Sequence, residues 1–285
     1  MREFLQCSIA WLCCAVAFAQ TAPAAGQGDY RKNLTFEGPI TGNQITYTLY
    51  LPPGFSPDRG PYPLIVFLHG AGGANASPQV IESYETARKA GKIRDSIIVF
   101  PEKYPGTVWR DGAREKMPET NVLKELLPHL EKKYAVSKNR SQRTVMGFSM
   151  GAAGALYWGA KYLDQFSTAV ALDSGGGTST TDPGARNFVP EYAKNPEKVR
   201  ESLRIRLVQG ALNTRGFRAA LDDLKIPYSY EQLPRDAASY PASSSCLSKK
   251  DPSKKFLHNP ACLVAGAWGQ ATWEFIGESH AKEQQ

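Results

Sequence analysis

The sequence predicts an α/β fold, a mostly parallel central sheet with helices on both faces. Short, continuously apolar runs recur along the chain, as strands buried on both faces should. Helical patterns separate these runs, and that alternation calls for crossover connections between parallel strands. At 285 residues, 42% apolar and 21% charged, the chain can bury one sizeable core. No internal repeat or linker divides it.

The elements follow in order. Gln44 to Leu51 (QITYTLYL) alternates polar and apolar residues, which predicts a half-buried edge strand. Leu64 to Leu68 (LIVFL), Ser96 to Phe100 (SIIVF), Thr144 to Phe148 (TVMGF), Thr168 to Leu172 (TAVAL), Ile205 to Val208 (IRLV) and Tyr228 to Leu233 (YSYEQL) complete the strand set. Asn121 to Tyr134 places Val122, Leu126, Leu127 and Leu130 on one helical face, with charges opposite. Ser149 to Tyr162 is rich in Ala and Gly, which suits a helix packed closely on strands. Phe217 to Leu224 and Leu263 to Ile276 supply two more helices. Asp236 to Pro260 is one long irregular stretch, and such loops are often functional.

The N-terminus reads as a leader. Arg2 gives a positive start, Cys7 to Phe18 is an almost unbroken apolar run, and Ala17-Phe18-Ala19 offers a small-x-small cleavage site. The run is too short for a membrane span of about 20 residues. A lipid anchor at Cys13 or Cys14 is disfavoured, since Leu12 or Cys13 stands where a small residue is wanted. The expected organisation is a signal peptide at 1–19, a flexible segment at 20–33 and a single domain at 34–285, in a secreted or periplasmic protein without a stable membrane anchor.

Removing the leader takes Cys7, Cys13 and Cys14 and leaves Cys246 and Cys262, an even pair that predicts a disulfide in an exported protein. Two distant cysteines and four scattered histidines lack metal-ligand spacing, so no metal is expected. The net charge of +7 reads as a solvated surface. Its densest cluster, Lys249-Lys250 with Lys254-Lys255, flanks the cysteine loop. No basic run is interleaved with aromatics, and no nucleic-acid partner is expected.

Two motifs carry chemistry. Gly147-Phe148-Ser149-Met150-Gly151 matches G-x-S-x-G between an apolar strand and a small-residue helix. A serine on such a tight turn is held exposed, and the helix N-terminus favours negative charge developing beside it. His69-Gly70-Ala71-Gly72-Gly73 follows the strand at 64–68, where glycines let backbone N–H groups approach an acyl oxygen. Together these nominate Ser149 as nucleophile and the N–H groups of Ala71 and Met150 as oxyanion donors. No G-K-[ST] follows the glycines, so this is not a phosphate loop.

The stretches PLIVFLHGAGG (63–73), ELLPHLEKKYAV (125–136) and RTVMGFSMGAAGAL (143–156) resemble the Putative esterase family of α/β-hydrolases. That family includes feruloyl and acetylxylan esterases, S-formylglutathione hydrolase and mycolyltransferases. The resemblance implies an α/β-hydrolase fold and a serine esterase with a Ser, His and acid triad. A member of that family would need no organic cofactor, and a small-molecule or carbohydrate ester is the expected substrate. Two family positions are vacant. Gly210-Ala211-Leu212-Asn213 carries Asn where the acid is expected, and the loop from Leu233 to Ser239 carries no histidine.

His258 is the candidate base, because it lies in the connection between the last strand and the last helix, four residues before Cys262. His69 belongs to the oxyanion loop, His129 falls on the exposed flank of its helix, and His280 reads as a surface residue near the C-terminus. For the acid, Asp173 at the end of the strand at 168–172 stands beside Asn213 and Asp236. Asp173 could instead cap the Ser174-Gly175-Gly176 turn. Trp109 is open between stacking on a sugar or phenolic acyl group and packing in the core. The expected function is ester hydrolysis through a Ser149 acyl-enzyme. The alternatives are a hydrolase-fold binding module that has lost turnover and, less favoured, a mycolyl-type acyltransferase.

Overall fold

The computed structural model describes residues 27–73, 77–102, 104, 107–113, 116–176 and 187–281. The expected leader, with Cys7, Cys13 and Cys14, lies outside the described residues. Eight strands form one sheet: β1 (Asp29–Glu37), β2 (Gln44–Leu51), β3 (Leu64–Leu68), β4 (Ile97–Pro101), β5 (Arg143–Phe148), β6 (Thr168–Leu172), β7 (Arg204–Gln209) and β8 (Ser229–Gln232). Their spatial order is β1-β2-β4-β3-β5-β6-β7-β8. The β1–β2 and β2–β4 pairs are antiparallel and every other pair is parallel. This is the α/β-hydrolase architecture.

The apolar runs are explained by two-sided burial. In β3, Leu64, Val66 and Leu68 join the core on one face, while Ile65 and Phe67 join the core on the other. Strand side chains alternate in direction, so a strand covered on both faces has no polar positions to spare. Helices α1 (Ser77–Lys89), α7 (Pro260–Leu263) and α8 (Gly266–His280) cover one face. On the other lie α2 (Leu127–Tyr134), α3 (Met150–Lys161), α4 (Val189–Lys194), α5 (Pro196–Ser202) and α6 (Arg215–Asp223).

Three elements depart from the sequence reading. β2 is not an edge strand: all its residues but Gln44 are buried, and β1 covers its outer side. β1 itself begins at Asp29, inside the segment expected to be flexible at 20–33. Its sequence DYRKNLTFE is polar because no residue of this edge strand is fully buried, and that disguises it as a tail. The helix expected at 121–134 opens as a π-helix over Thr120–Leu126 before becoming α2. Pro128 lacks an N–H, and its ring crowds the carbonyl four residues back. The wider turn before it, with Leu127 N–H donating to Val122 O, accommodates that crowding.

Cys246 and Cys262 form a disulfide with a Cα–Cα distance of 4.7 Å. Among the described residues, no helix is long and apolar enough to cross a membrane.

Candidate active site

Ser149 leaves β5 in a conformation few side chains adopt, with φ 55° and ψ −116°. Its N–H donates to Leu172 O at 3.0 Å, which extends the β5–β6 ladder one rung and pins the bend. The two glycines of the motif are steric necessities. A Cβ on Gly147 would fall on the Gly151 carbonyl, and one on Gly151 would fall on the Leu68 carbonyl. Strand, turn and helix therefore interlock only with glycine at both positions.

The loop after β3 lies against this bend. A Cβ on Gly70 would lie 3.2 Å from the Phe148 ring and 3.4 Å from the Ser149 Cβ. Gly73 N–H donates to Gly70 O at 3.0 Å, closing a turn with Ala71 and Gly72 at its exposed tip. Met150 opens α3, so its N–H has no acceptor within the helix. Gly70 thus abuts the serine, with Ala71 next to it in the loop, and the Met150 N–H opens the helix on the other side.

Trp109 supports the loop from inside the core. It is fully buried, and its Nε1–H donates to His69 O at 3.0 Å. Trp158 Nε1–H in turn donates to Trp109 O at 2.7 Å. Gly154 admits the Trp109 side chain, because a Cβ there would come within 2.6 Å of the Trp109 Cβ. Core packing thus takes the indole, and the stacking role that the sequence left open is excluded. His69 is buried too, with Nδ1–H donating to Gly70 O at 2.7 Å and Nε2 without a partner among the described residues. Burial pushes its pKa down, so it stands as a neutral ring shaping the loop.

Asp173 steps off β6 as Ser149 steps off β5. Its φ is 54°, and its N–H donates to Val208 O at 2.7 Å, one further rung along the sheet. The carboxylate is fully buried. Oδ1 accepts from Gly210 N–H at 2.8 Å and Leu212 N–H at 2.9 Å, and Oδ2 accepts from Ala211 N–H at 3.0 Å. The fourth partner is His258, whose Nδ1 lies 2.6 Å from Oδ2. A carboxylate can only accept, so Nδ1 carries a proton. That leaves Nε2 facing Ser149 Oγ at 3.0 Å. The Phe148 ring packs against the imidazole, with centroids 4.7 Å apart.

The structure therefore brings together Ser149, His258 and Asp173, with the Ala71 loop and the Met150 N–H beside them. Asn213 and Asp236 lie elsewhere in the hydrogen-bond network: the Asn213 side chain accepts from Arg215 N–H and that of Asp236 from Ala238 N–H. The remaining histidines depart from expectation. His280 is fully buried, with Nε2 3.0 Å from Thr144 Oγ1, because α8 runs one turn past the predicted end and tucks the residue under β5. His129 is half-buried and stacks on Phe36 of β1, the strand that sequence reading did not identify. Sequence reading also missed the three amides that hold Asp173. The available signal was Gly210 directly after β7, where a Cβ would press on Leu257 O and on the Asp173 carboxylate.

A family model described as Putative esterase matches residues 38–219, well over half of the chain. The chain belongs to this family. Among solved structures, this esterase-family chain is similar to a ferulic acid esterase, with a TM-score of 0.68 and 20% identity over 90% of this chain and 100% of that one. It is similar to a fluorophosphonate-binding serine hydrolase of Staphylococcus aureus, at a TM-score of 0.65 and 16% identity over 90% and 100%. S-formylglutathione hydrolase from the same organism gives a TM-score of 0.64 and 16% identity over 89% and 99%. Identities this low speak for a shared fold. The family match ends before His258 and the disulfide.

Proposed function

We propose that this chain is an exported serine carboxylic-ester hydrolase working through an acyl-enzyme on Ser149. The observation that carries the reading is the chain of contacts from Ser149 Oγ through His258 to Asp173, at 3.0 and 2.6 Å. Ser149 Oγ attacks the ester carbonyl carbon while its proton passes to His258 Nε2. The imidazolium keeps its Nδ1–H on Asp173, which holds the ring's orientation and balances its charge. The N–H groups of Ala71 and Met150 receive the tetrahedral oxyanion. His258 then returns its proton to the departing alkoxide, and the alcohol leaves. Water, deprotonated by the same imidazole, attacks the acyl-enzyme and releases the acid. Only side chains, backbone and water take part in these steps.

The binding-module alternative rested on the vacant family positions. A base and an acid arriving from other places in the chain support turnover over binding alone. Export is supported by the charged start, apolar run and small-x-small site at 1–19, and by the pairing of the two cysteines that remain.

The test is turnover of p-nitrophenyl acetate and methyl ferulate by the full mature chain. Ser149→Ala and His258→Ala are each expected to lower kcat by roughly 10⁴-fold or more with the fold intact. Unchanged turnover in Ser149→Ala would remove the acyl-enzyme, and unchanged turnover in His258→Ala would remove this base.

A further inference from the structure

Beside the His258 segment lies a concavity that ester cleavage itself does not use. It is a groove of about 880 Å³ between the start of α1 and the stretch 242–261, most of which lies in the loop closed by Cys246 and Cys262. Gln79 lines it from α1, the helix that follows the oxyanion loop, and Asn259 lines it from the residue next to His258. The groove thus opens on the same rim of the sheet as the serine.

Its lining has a distinct chemistry. Phe256 is 54% exposed, one of two large apolar side chains so placed among the described residues. An exposed ring of this kind offers a flat apolar face. Serines at 243–245 and 248 line the wall with hydroxyls. The only charged lining residues are Lys249 and Lys250, both exposed, and neither has an ion pair among the described residues. The nearby Asp251 is engaged by Lys254, at 3.2 Å. An aromatic face, a hydroxylated wall and two uncompensated cations at one end together match a saccharide bearing an anionic group. Half of the lining residues are exposed and all but one of the rest are only partly buried, an open wall that suits the extended alcohol portion of a glycan ester better than an acyl chain.

We infer that this groove is a subsite for an acidic saccharide, holding the anionic glycan whose ester is presented to Ser149. The inference rests on the esterase reading for its purpose but not for its test. Lysine ammonium groups are compact point charges, so a uronate carboxylate and a sugar sulfate fit alike. The Phe256 face and the serine hydroxyls take the neutral part of the ring, while Lys249 and Lys250 select the charge. The disulfide Cys246–Cys262 holds the groove wall and the His258 segment in one closed loop, so the subsite and the base are positioned by the same covalent link.

The test separates binding from turnover. Calorimetric titrations of the mature chain use trigalacturonate, a sulfated carrageenan tetrasaccharide and neutral xylotriose. At least one anionic saccharide is expected to bind more tightly than xylotriose, and the tighter of the two identifies the anion. Lys249→Gln/Lys250→Gln is expected to weaken that binding about fivefold, the scale of two exposed ion pairs, without affecting xylotriose. Raising the ionic strength should reproduce the loss in the parent. Phe256→Ala is expected to weaken all three saccharides. Hydrolysis of p-nitrophenyl acetate, too small to reach the groove, should be the same in all variants and reports separately on the esterase reading. Equal binding of all three saccharides, no binding, or an unaltered affinity in the lysine double variant would overturn the inference, whatever the turnover shows.

Discussion

Around Ser149, the bend and the oxyanion loop are fitted together by glycines at close contacts within and between β3 and β5, whereas the base and acid are held by hydrogen bonds, ring packing and a disulfide that join later segments. Gly147, Gly151 and Gly70 permit the bend, the helix start and the neighbouring loop to touch: the first two meet backbone carbonyls, of Gly151 and Leu68, and Gly70 meets the Phe148 ring and the Ser149 Cβ. His258 lies 109 residues from Ser149 and 85 from Asp173, and is kept in place by a carboxylate, the Phe148 ring and a disulfide. Local steric demands leave a short motif in the sequence. Long-range support leaves none, because many residues can provide it. The nucleophile side is accordingly recognisable by pattern, while the proton-transfer side can migrate along the chain as long as the imidazole reaches the same oxygen.

The sharpest way to break this comparison is to move the acid. Asp173→Asn replaces one acceptor oxygen with an NH₂ group, which faces either the amides of residues 210–212 or the Nδ1–H of His258. The imidazole is then favoured in the wrong tautomer. The expected fall in kcat for p-nitrophenyl acetate is about 10⁴-fold, with little change in KM. Asn213→Asp, which restores the acid at the family position, is expected to leave the parent unchanged and to rescue nothing when combined with Asp173→Asn. Recovery in that double variant would show that the acid has two interchangeable seats, and the contrast between fixed and migrating groups would lose its basis.

The disulfide sharpens the same contrast by affecting one side only. Cys246→Ser/Cys262→Ser opens a loop with a sequence separation of 16, and the chain-entropy scale for such a loop is about 3 kcal/mol. Ester turnover should be lost on warming well below the temperature at which the sheet unfolds, because His258 loosens before β3 and β5 do. Parallel measurement of kcat and far-ultraviolet circular dichroism against temperature checks this. Coincident losses would mean that the His258 segment has no independent stability and that the staple serves the whole domain.

How much was legible follows the same division. The apolar runs at 64–68 and 168–172 announced a sheet buried on both faces, and G-x-S-x-G announced the bend, because both are short-range consequences of packing. β1 was illegible because an edge strand in water carries polar residues and resembles a tail. Its absence from the reading made β2 an edge and left His129 without its Phe36 partner. Asp173 was one of three open candidates, and what distinguishes it is the approach of residues 210–212 and of His258, contacts set by how β6, β7 and the late loop come together. His280 was misplaced because its position near the C-terminus suggested a surface residue, although Thr144 receives it under the sheet.

That buried histidine gives the smallest and most separable effect. Burial, helped by the positive charge of Arg94, pushes His280 from 6.5 down to about 3 in the folded chain. Between those values the unfolded chain binds a proton that the folded chain does not. Stability from this site is therefore complete above about pH 6.5 and declines as the pH falls towards 3, by about 1.4 kcal/mol per pH unit. His69, lowered by burial in the same direction, adds to the slope. Urea unfolding at pH 7.5 and 5.0 should show the loss, and His280→Gln, which keeps a hydrogen bond to Thr144 without the titration, should reduce it. The pH dependence of ester turnover should be the same in both proteins, because His280 reaches Thr144 and not Ser149. If the variant kept the full slope, the acid sensitivity would belong to other groups, and the buried His280 would not be the source of it.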